Sequence, residues 1–144
     1  MIVQALVERG VAASRGAVYS EEQADDPRPT LFLSQDNQAG IDQPSGAVYN
    51  ALSGLPLIVE NGHSSDQIKP DAYDAGVHPR TAIGLDRERK TLLLFIVDGR
   101  QPGYSEGMTL PELSQTAIEY GADEAFNLDG GGSSTLVIAD PAGQ

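Results

Sequence analysis

Apolar residues in this chain fall into short runs broken by glycine, proline and acidic stretches, a spacing that predicts strands more often than helices. The first twenty residues carry Ile2-Val3, Ala5-Leu6-Val7 and Val11-Ala12-Ala13, which suit either a short strand or a helical turn. Ser20 to Pro29 is polar and holds two prolines that stop regular structure. Thr30-Leu31-Phe32-Leu33 reads as a strand, and Asp36 to Gly40 as the turn leading on to Ile41. A second apolar stretch, Val48 to Val59, ends in Glu60-Asn61-Gly62, and Asn-Gly after such a run is a turn signal. His63 to Val77 is polar and irregular, a long exposed loop of the kind that often carries function.

Thr91-Leu92-Leu93-Leu94-Phe95-Ile96-Val97 has no polar side chain after Thr91 and reads as a central strand buried on both faces. Thr109-x-x-Glu112 is a capping-box pattern with Pro111 in the first turn, so a helix is predicted over about 109–120. Leu110, Leu113, Ala117 and Ile118 lie on one face of it, and Gly121 stops it. Ala125-Phe126-Asn127-Leu128 reads as a strand entering a core, and Leu136-Val137-Ile138-Ala139 as one leaving it. The pattern predicts an α+β fold: a single domain over 1–144 with a mixed, mostly antiparallel sheet and the helix packed on one face.

Between the last two strands lies Asp129-Gly130-Gly131-Gly132-Ser133-Ser134. Bare amides of such a loop can approach a ligand closely and favour anions, although Asp-Gly is also a common hairpin turn. The loop lacks the Gly-Lys-Ser/Thr ending of a Walker loop and the Gly-x-Gly-x-x-Gly spacing, which disfavours both familiar nucleotide sites.

Charge narrows the choice of ligand. Asp and Glu number 21 against 9 Lys and Arg, a net charge of −12, which repels nucleic acid and anionic membranes. No Lys or Arg follows Arg100, so an anion at the glycine loop would draw its cations from the segment holding Arg80, Arg87, Arg89, Lys90 and Arg100. The absence of cysteine excludes disulfides, thiol catalysis and zinc–thiolate sites. Charge appears at Glu8-Arg9, too early for a signal-peptide core, and no apolar run reaches membrane-spanning length. The chain as written therefore reads as soluble and cytoplasmic.

Polar groups gather at the ends of apolar strands, where sheets commonly build sites. They are His78-Pro79-Arg80-Thr81, Asp98-Gly99-Arg100-Gln101, Tyr104-Ser105-Glu106-Gly107-Met108-Thr109, and the glycine loop. Each has a plain structural alternative: a loop histidine, surface salt bridges for Arg80 and Arg100, a turn at Asp98-Gly99, and a helix cap at Thr109. Asp98, Asn127 and Asp129 could instead be oxygen ligands to a cation.

These runs, in this order, together with Ser53-Gly54-Leu55-Pro56-Leu57, resemble the phosphodiester glycosidase family over roughly residues 30–138. The resemblance implies hydrolysis of a sugar-1-phosphodiester to free sugar and phosphomonoester, with no cofactor and a small anionic sugar-phosphate as ligand. The implied catalytic groups are Asp129 and Asp98, with Glu106 in reserve and His78 as a proton donor. Arg80 and Arg100 would clamp the phosphate, helped by the amides of Gly130, Gly131 and Gly132. Ser53, Thr81, Ser105, Thr109, Asn127, Ser133 and Ser134 would meet sugar hydroxyls and phosphate oxygens. The competing class is a non-catalytic module that binds a phosphorylated sugar or nucleotide-derived ligand in the same pocket.

Overall fold

The computed structural model describes residues 10–21, 23–71 and 73–138. Its strands form two five-stranded sheets. The first contains β1 (Ala12–Ser14), β2 (Ala17–Ser20), β3 (Thr30–Ser34), β4 (Ala39–Ile41) and β5 (Val48–Ser53), in the order β2-β1-β5-β3-β4. The second contains β6 (Leu57–Glu60), β7 (His63–Ser64), β8 (Arg80–Leu85), β9 (Leu92–Val97) and β10 (Glu124–Asn127), in the order β7-β6-β10-β8-β9. One helix, α1 (Leu110–Glu119), lies against β6 and β7. The α+β class stands, with two sheets in place of one and antiparallel pairing throughout the described ladders.

The N-terminal ambiguity resolves to a hairpin over residues 12–20, because Arg15 and Gly16 both take positive φ and close a two-residue turn. The expectations for residues 1–9 lie outside the described residues. Asn61-Gly62 turns the chain from β6 into β7 in the same way.

The second sheet is the middle layer. On one face Leu57, Ile83, Leu85 and Phe126 meet Leu31, Ala39 and Ile41 of the first sheet. On the other, Ile58, Val59, Ala82 and Ala125 meet Leu110, Leu113 and Ala117 of α1. Burying the Leu, Ile, Val and Phe side chains among these contributes roughly 1.5–3 kcal/mol each. Ser114, fully buried, ties the helix down by donating to the Ile58 carbonyl at 2.7 Å.

Two expected strands differ. β9 is the sheet's edge, and only Leu93, Phe95 and Val97 face the helix-side core. Leu92, Leu94 and Ile96 are exposed, because the first sheet contacts β8 through β4 and leaves β9 uncovered. An unbroken apolar run cannot distinguish that position from a central strand. Leu136, Val137 and Ile138 are likewise exposed and form no strand, while Ala139 lies outside the described residues.

The helix start follows its sequence signal. Glu112 N–H donates to Thr109 Oγ1 at 3.3 Å, and Thr109 N–H donates to Glu112 Oε2 at 2.8 Å. The Thr109 amide and hydroxyl hold the Glu112 carboxyl below its ordinary range. Thr109→Ala is expected to cost about 1 kcal/mol of unfolding free energy in a urea titration at neutral pH. Because the folded-state pKa is lowered, the Glu112 share of this cap persists above the ordinary glutamate range. It is lost as pH falls through the lowered value.

Candidate functional site

Three of the polar motifs converge around Pro79. A side chain at Gly107 would overlap the His78 carbonyl, and a Cβ at Gly130 would stand 2.6 Å from the Pro79 carbonyl oxygen. Backbones this close leave no room for a Cβ, which accounts for glycine at both positions. His78 and Met108 pair as an isolated bridge, and Gly131 N–H donates to the Pro79 carbonyl at 2.9 Å. Two clefts open here, and the stretch from Leu128 to Ser134 contributes to both.

The smaller cleft, about 290 Å³, is lined by Pro79, Ile96, Asp98, Gly99, Arg100, Gly131, Gly132 and Ser134. Arg100 has a φ of +59°. Its guanidinium lies against Gly131, where a Cβ would be 3.1 Å from Nη1. Among the described residues no carboxylate pairs with it. Asp98 is held by its own turn, accepting from Gly99 N–H at 2.8 Å and from Gln101 Nε2 at 3.0 and 2.9 Å. Ser134 Oγ is buried without a partner among the described residues.

The larger cleft, about 920 Å³, draws on Arg28, Ser53, Leu55, Pro56, Gln67, Lys69, Tyr73 and Asp129, among others. Asp129 Oδ1 accepts from Gly130 N–H at 2.9 Å, and its other carboxylate oxygen has no protein partner among the described residues. The structure therefore splits the expected carboxylate pair, with Asp98 lining one cleft and Asp129 the other.

Several sequence expectations are corrected. Arg80 is only 1% exposed and lines neither cleft. Its guanidinium donates to the carbonyls of Met108 (3.0 Å), Tyr73 (2.8 Å) and Gly76 (2.8 Å), which makes it a brace for the fold instead of half of a phosphate clamp. Thr109 spends its hydroxyl on the helix cap. Asn127 is buried and uses its amide nitrogen on the carbonyls of Leu55 and Leu128, its Oδ1 being left without a partner among the described residues. Gly130 and Gly131 N–H are committed to Asp129 and Pro79, so among the three glycines only Gly132 keeps a free amide in the described structure.

Of the remaining expected groups, only Ser53 lines either cleft. Ser53 lines the large cleft but shares its hydroxyl with Thr30 and accepts from Val11 N–H. Ser105 Oγ donates to the Asp98 carbonyl. Thr81 Oγ1 is buried without a partner among the described residues, and Ser133 is exposed in the short 3-10 turn Gly131–Ser133. Glu106 is exposed and lends its carbonyl to Arg100 N–H, while the His78 ring packs 6.3 Å from that of Tyr73.

Of the middle segment's cations, Arg100 alone brings its charge to the glycine loop among the described residues. Arg89 pairs with Glu124 at 3.2 Å and Lys90 with Glu88 at 2.7 Å, and Arg87 lies 4.0 Å from Asp123. Glu124 and Asn127 stand at opposite ends of β10, so the Arg89–Glu124 pair is remote from the loop that follows Asn127. Arg28 and Lys69, outside that segment, line the large cleft instead, and nothing in their local sequence marked them. Among the described residues no group of three His, Cys, Asp or Glu side chains is placed to hold a metal ion.

A two-sheet α+β fold thus carries a glycine loop at a strand end, with Arg100, unpaired among the described residues, against it and one carboxylate in each adjoining cleft. Residues 4–144 match the family described as phosphodiester glycosidase, and the chain belongs to that family. It is 30% identical over 146 residues to the human N-acetylglucosamine-1-phosphodiester alpha-N-acetylglucosaminidase, covering 91% of this chain and 27% of the relative. The mouse enzyme of the same name is 31% identical over 122 residues, covering 76% of this chain and 22% of the relative. The chain thus spans roughly a quarter of the length of these curated relatives. The catalytic domain of the zebrafish enzyme, described as auto-inhibited by its pro-peptide, superposes with a TM-score of 0.68 at 22% identity, covering 90% of this chain and 48% of that one.

Replacing Arg80 with Lys is expected to remove more than about 2 kcal/mol of stability, because one ammonium cannot reproduce a fork spread over three buried carbonyls. Urea unfolding checks this. At the remote end of β10, partial burial raises the Glu124 carboxyl above its ordinary value. Asp123, Asp42 and Glu60 add to that rise, and Arg89 opposes it. The folded state therefore holds this proton more tightly, and ionisation subtracts stability as pH rises from the ordinary glutamate value through the raised one. Glu124→Gln is expected to raise the neutral-pH unfolding free energy in a urea titration slightly, by under about 1 kcal/mol given solvent screening, with the gain vanishing at acid pH.

Proposed function

We propose that this chain hydrolyses sugar-1-phosphodiesters, breaking the bond between the anomeric carbon and the phosphate oxygen. The observation that carries this reading is the unpaired Arg100 guanidinium against Gly131, in a cleft sharing its glycine loop with Asp129. The fork suits a phosphodiester and gains strength as charge collects on the departing phosphate oxygens. The free Gly132 amide and the unpartnered Ser134 hydroxyl add two donors to the same anion.

In this reading Asp129 acts at the sugar. One of its oxygens is fixed by Gly130 N–H, and the other is available to take a proton from water or to meet the developing positive charge at the anomeric carbon. Water supplies hydroxide to that carbon, and the phosphomonoester leaves with the bonding electrons. Being a stable anion at neutral pH, it needs little protonation, which suits a site where His78 and Glu106 stand aside from both clefts. Asp98, held on two sides by Gln101, orients the turn that carries Arg100. The committed Asp98 oxygens favour a second reading, in which the pocket binds its ligand without cleaving it.

Turnover of a panel of α- and β-linked sugar phosphodiesters, followed by phosphorus NMR, separates the two. Asp129→Asn is expected to lower kcat by about a hundredfold or more with the melting temperature unchanged. Arg100→Met is expected to lower kcat/KM by about the same factor. No product from any member of the panel, with binding retained, would establish the non-catalytic module.

A further inference from the structure

β9 is a sheet edge without the protection that edges usually carry. The other outer strands, β2, β4 and β7, are only two to four residues long. β9 runs for six, pairs with β8 without a bulge, and has no charge, proline or glycine from Thr91 to Val97. Short length, bulges, lysine and proline are the devices that keep other chains off an edge. The outer side of β9 pairs with no described strand, and Leu92, Leu94 and Ile96 stand exposed on one face of it.

Charge points to the occupant. Residues 86–100 hold Asp86, Glu88 and Asp98 against Arg87, Arg89, Lys90 and Arg100, a balance of +1 in a chain of −12. Two copies therefore meet less repulsion at this edge than at a surface of average charge. The strand is also complementary to itself. Directly opposed residues of antiparallel strands share a face. With Leu94 opposite its own copy, Leu92 meets the partner's Ile96, and Lys90 meets the partner's Asp98. A slip of two residues one way sets Ile96 against the partner's Lys90, and the other way sets Leu92 against the partner's Asp98. A slip of one residue brings the exposed face of one copy level with the helix-side face of the other. Only the register centred on Leu94 matches all three exposed apolar residues and joins opposite charges at both ends. Lys90 bonds Glu88 within the chain, but both side chains are well exposed, so exchanging that partner costs little.

We infer that β9 is the interface for a second copy of this chain, joined antiparallel about a two-fold axis at Leu94 to make one continuous sheet with five strands from each copy. Such a contact is closed and stops at two copies. It sets the partner's Leu92 and Lys90 beside Ile96 and Asp98, which line the smaller cleft. The pairing does not depend on the hydrolytic reading.

Sedimentation equilibrium of the full chain at about physiological ionic strength tests the pairing. A reversible monomer–dimer equilibrium is expected with a Kd of about 0.1 mM, weak because a short ladder and three apolar side chains from each copy make a small interface. Leu94→Lys sets two ammonium groups face to face on the axis and should weaken the dimer about tenfold or more. Its melting temperature should stay unchanged, because Leu94 is exposed. Lys90→Glu should weaken the dimer about threefold. The register has its own readout, since the chain contains no cysteine. Under oxidised glutathione Leu94→Cys should cross-link to its own copy, because opposed Cα atoms lie about 4.5–5.5 Å apart. Leu92→Cys should not do so alone, and should cross-link when mixed with Ile96→Cys. A monomer at all concentrations up to about 1 mM, or open-ended association, would overturn the pairing. So would a dimer unweakened by Leu94→Lys or Lys90→Glu, or cross-linking of Leu92→Cys as fast as that of Leu94→Cys.

Discussion

A single buried guanidinium organises the functional end of this molecule. Arg80 opens β8 and carries its charge into the interior without a carboxylate partner among the described residues. Burial of that kind is tolerated only when the donors find acceptors. The acceptors are the carbonyls of Tyr73, Gly76 and Met108, with the Tyr73 ring beneath. These belong to two separate connections, so one side chain holds the loop before β8 against the approach to α1. The helix cap at Thr109 and the wall of the large cleft at Tyr73 both rest on that brace.

Crowded main chain does the remaining positioning. The His78–Arg80, Gly107–Met108 and Gly130–Gly131 segments meet around Pro79, and backbone hydrogen bonds between them leave few amides for a ligand. The glycine loop is therefore less an amide nest than a thin partition: thin enough for Arg100 to lie flat on Gly131, and edged by Asp129 on its other side. At the glycine loop Arg100 has no carboxylate partner among the described residues, whereas Arg89 and Lys90 are bonded to neighbouring carboxylates elsewhere.

Local chemistry was legible in the sequence where it is settled by neighbours along the chain. The capping box and the Asn61-Gly62 turn both depend on residues a few positions apart. What depended on long-range partners was not legible. The three carbonyls that claim Arg80 come from residues 73, 76 and 108, and sequence proximity to other motifs wrongly placed it among ligand contacts. The same holds for Asn127, whose amide reaches back 72 positions to Leu55. β9 misled for a different reason: its composition fits packing on both faces, and says nothing about whether a second sheet extends far enough to cover the outer one. Arg28 and Lys69 enter the large cleft only because the first sheet and the 66–77 loop are folded against the glycine loop.

The uncovered side of β9 has a colloidal consequence. Leu92, Leu94 and Ile96 flank an edge whose outer backbone groups pair with no other described strand, and Leu136, Val137 and Ile138 are bare nearby in sequence to the cleft residue Ser134. An apolar sheet edge is a template for another chain. Mutual repulsion between molecules carrying twelve excess negative charges opposes that encounter, and salt shortens its range to about 8 Å at physiological ionic strength. The protein's acidity thus acts as a dispersant for its own sheet, effective in dilute buffer and progressively weaker in brine.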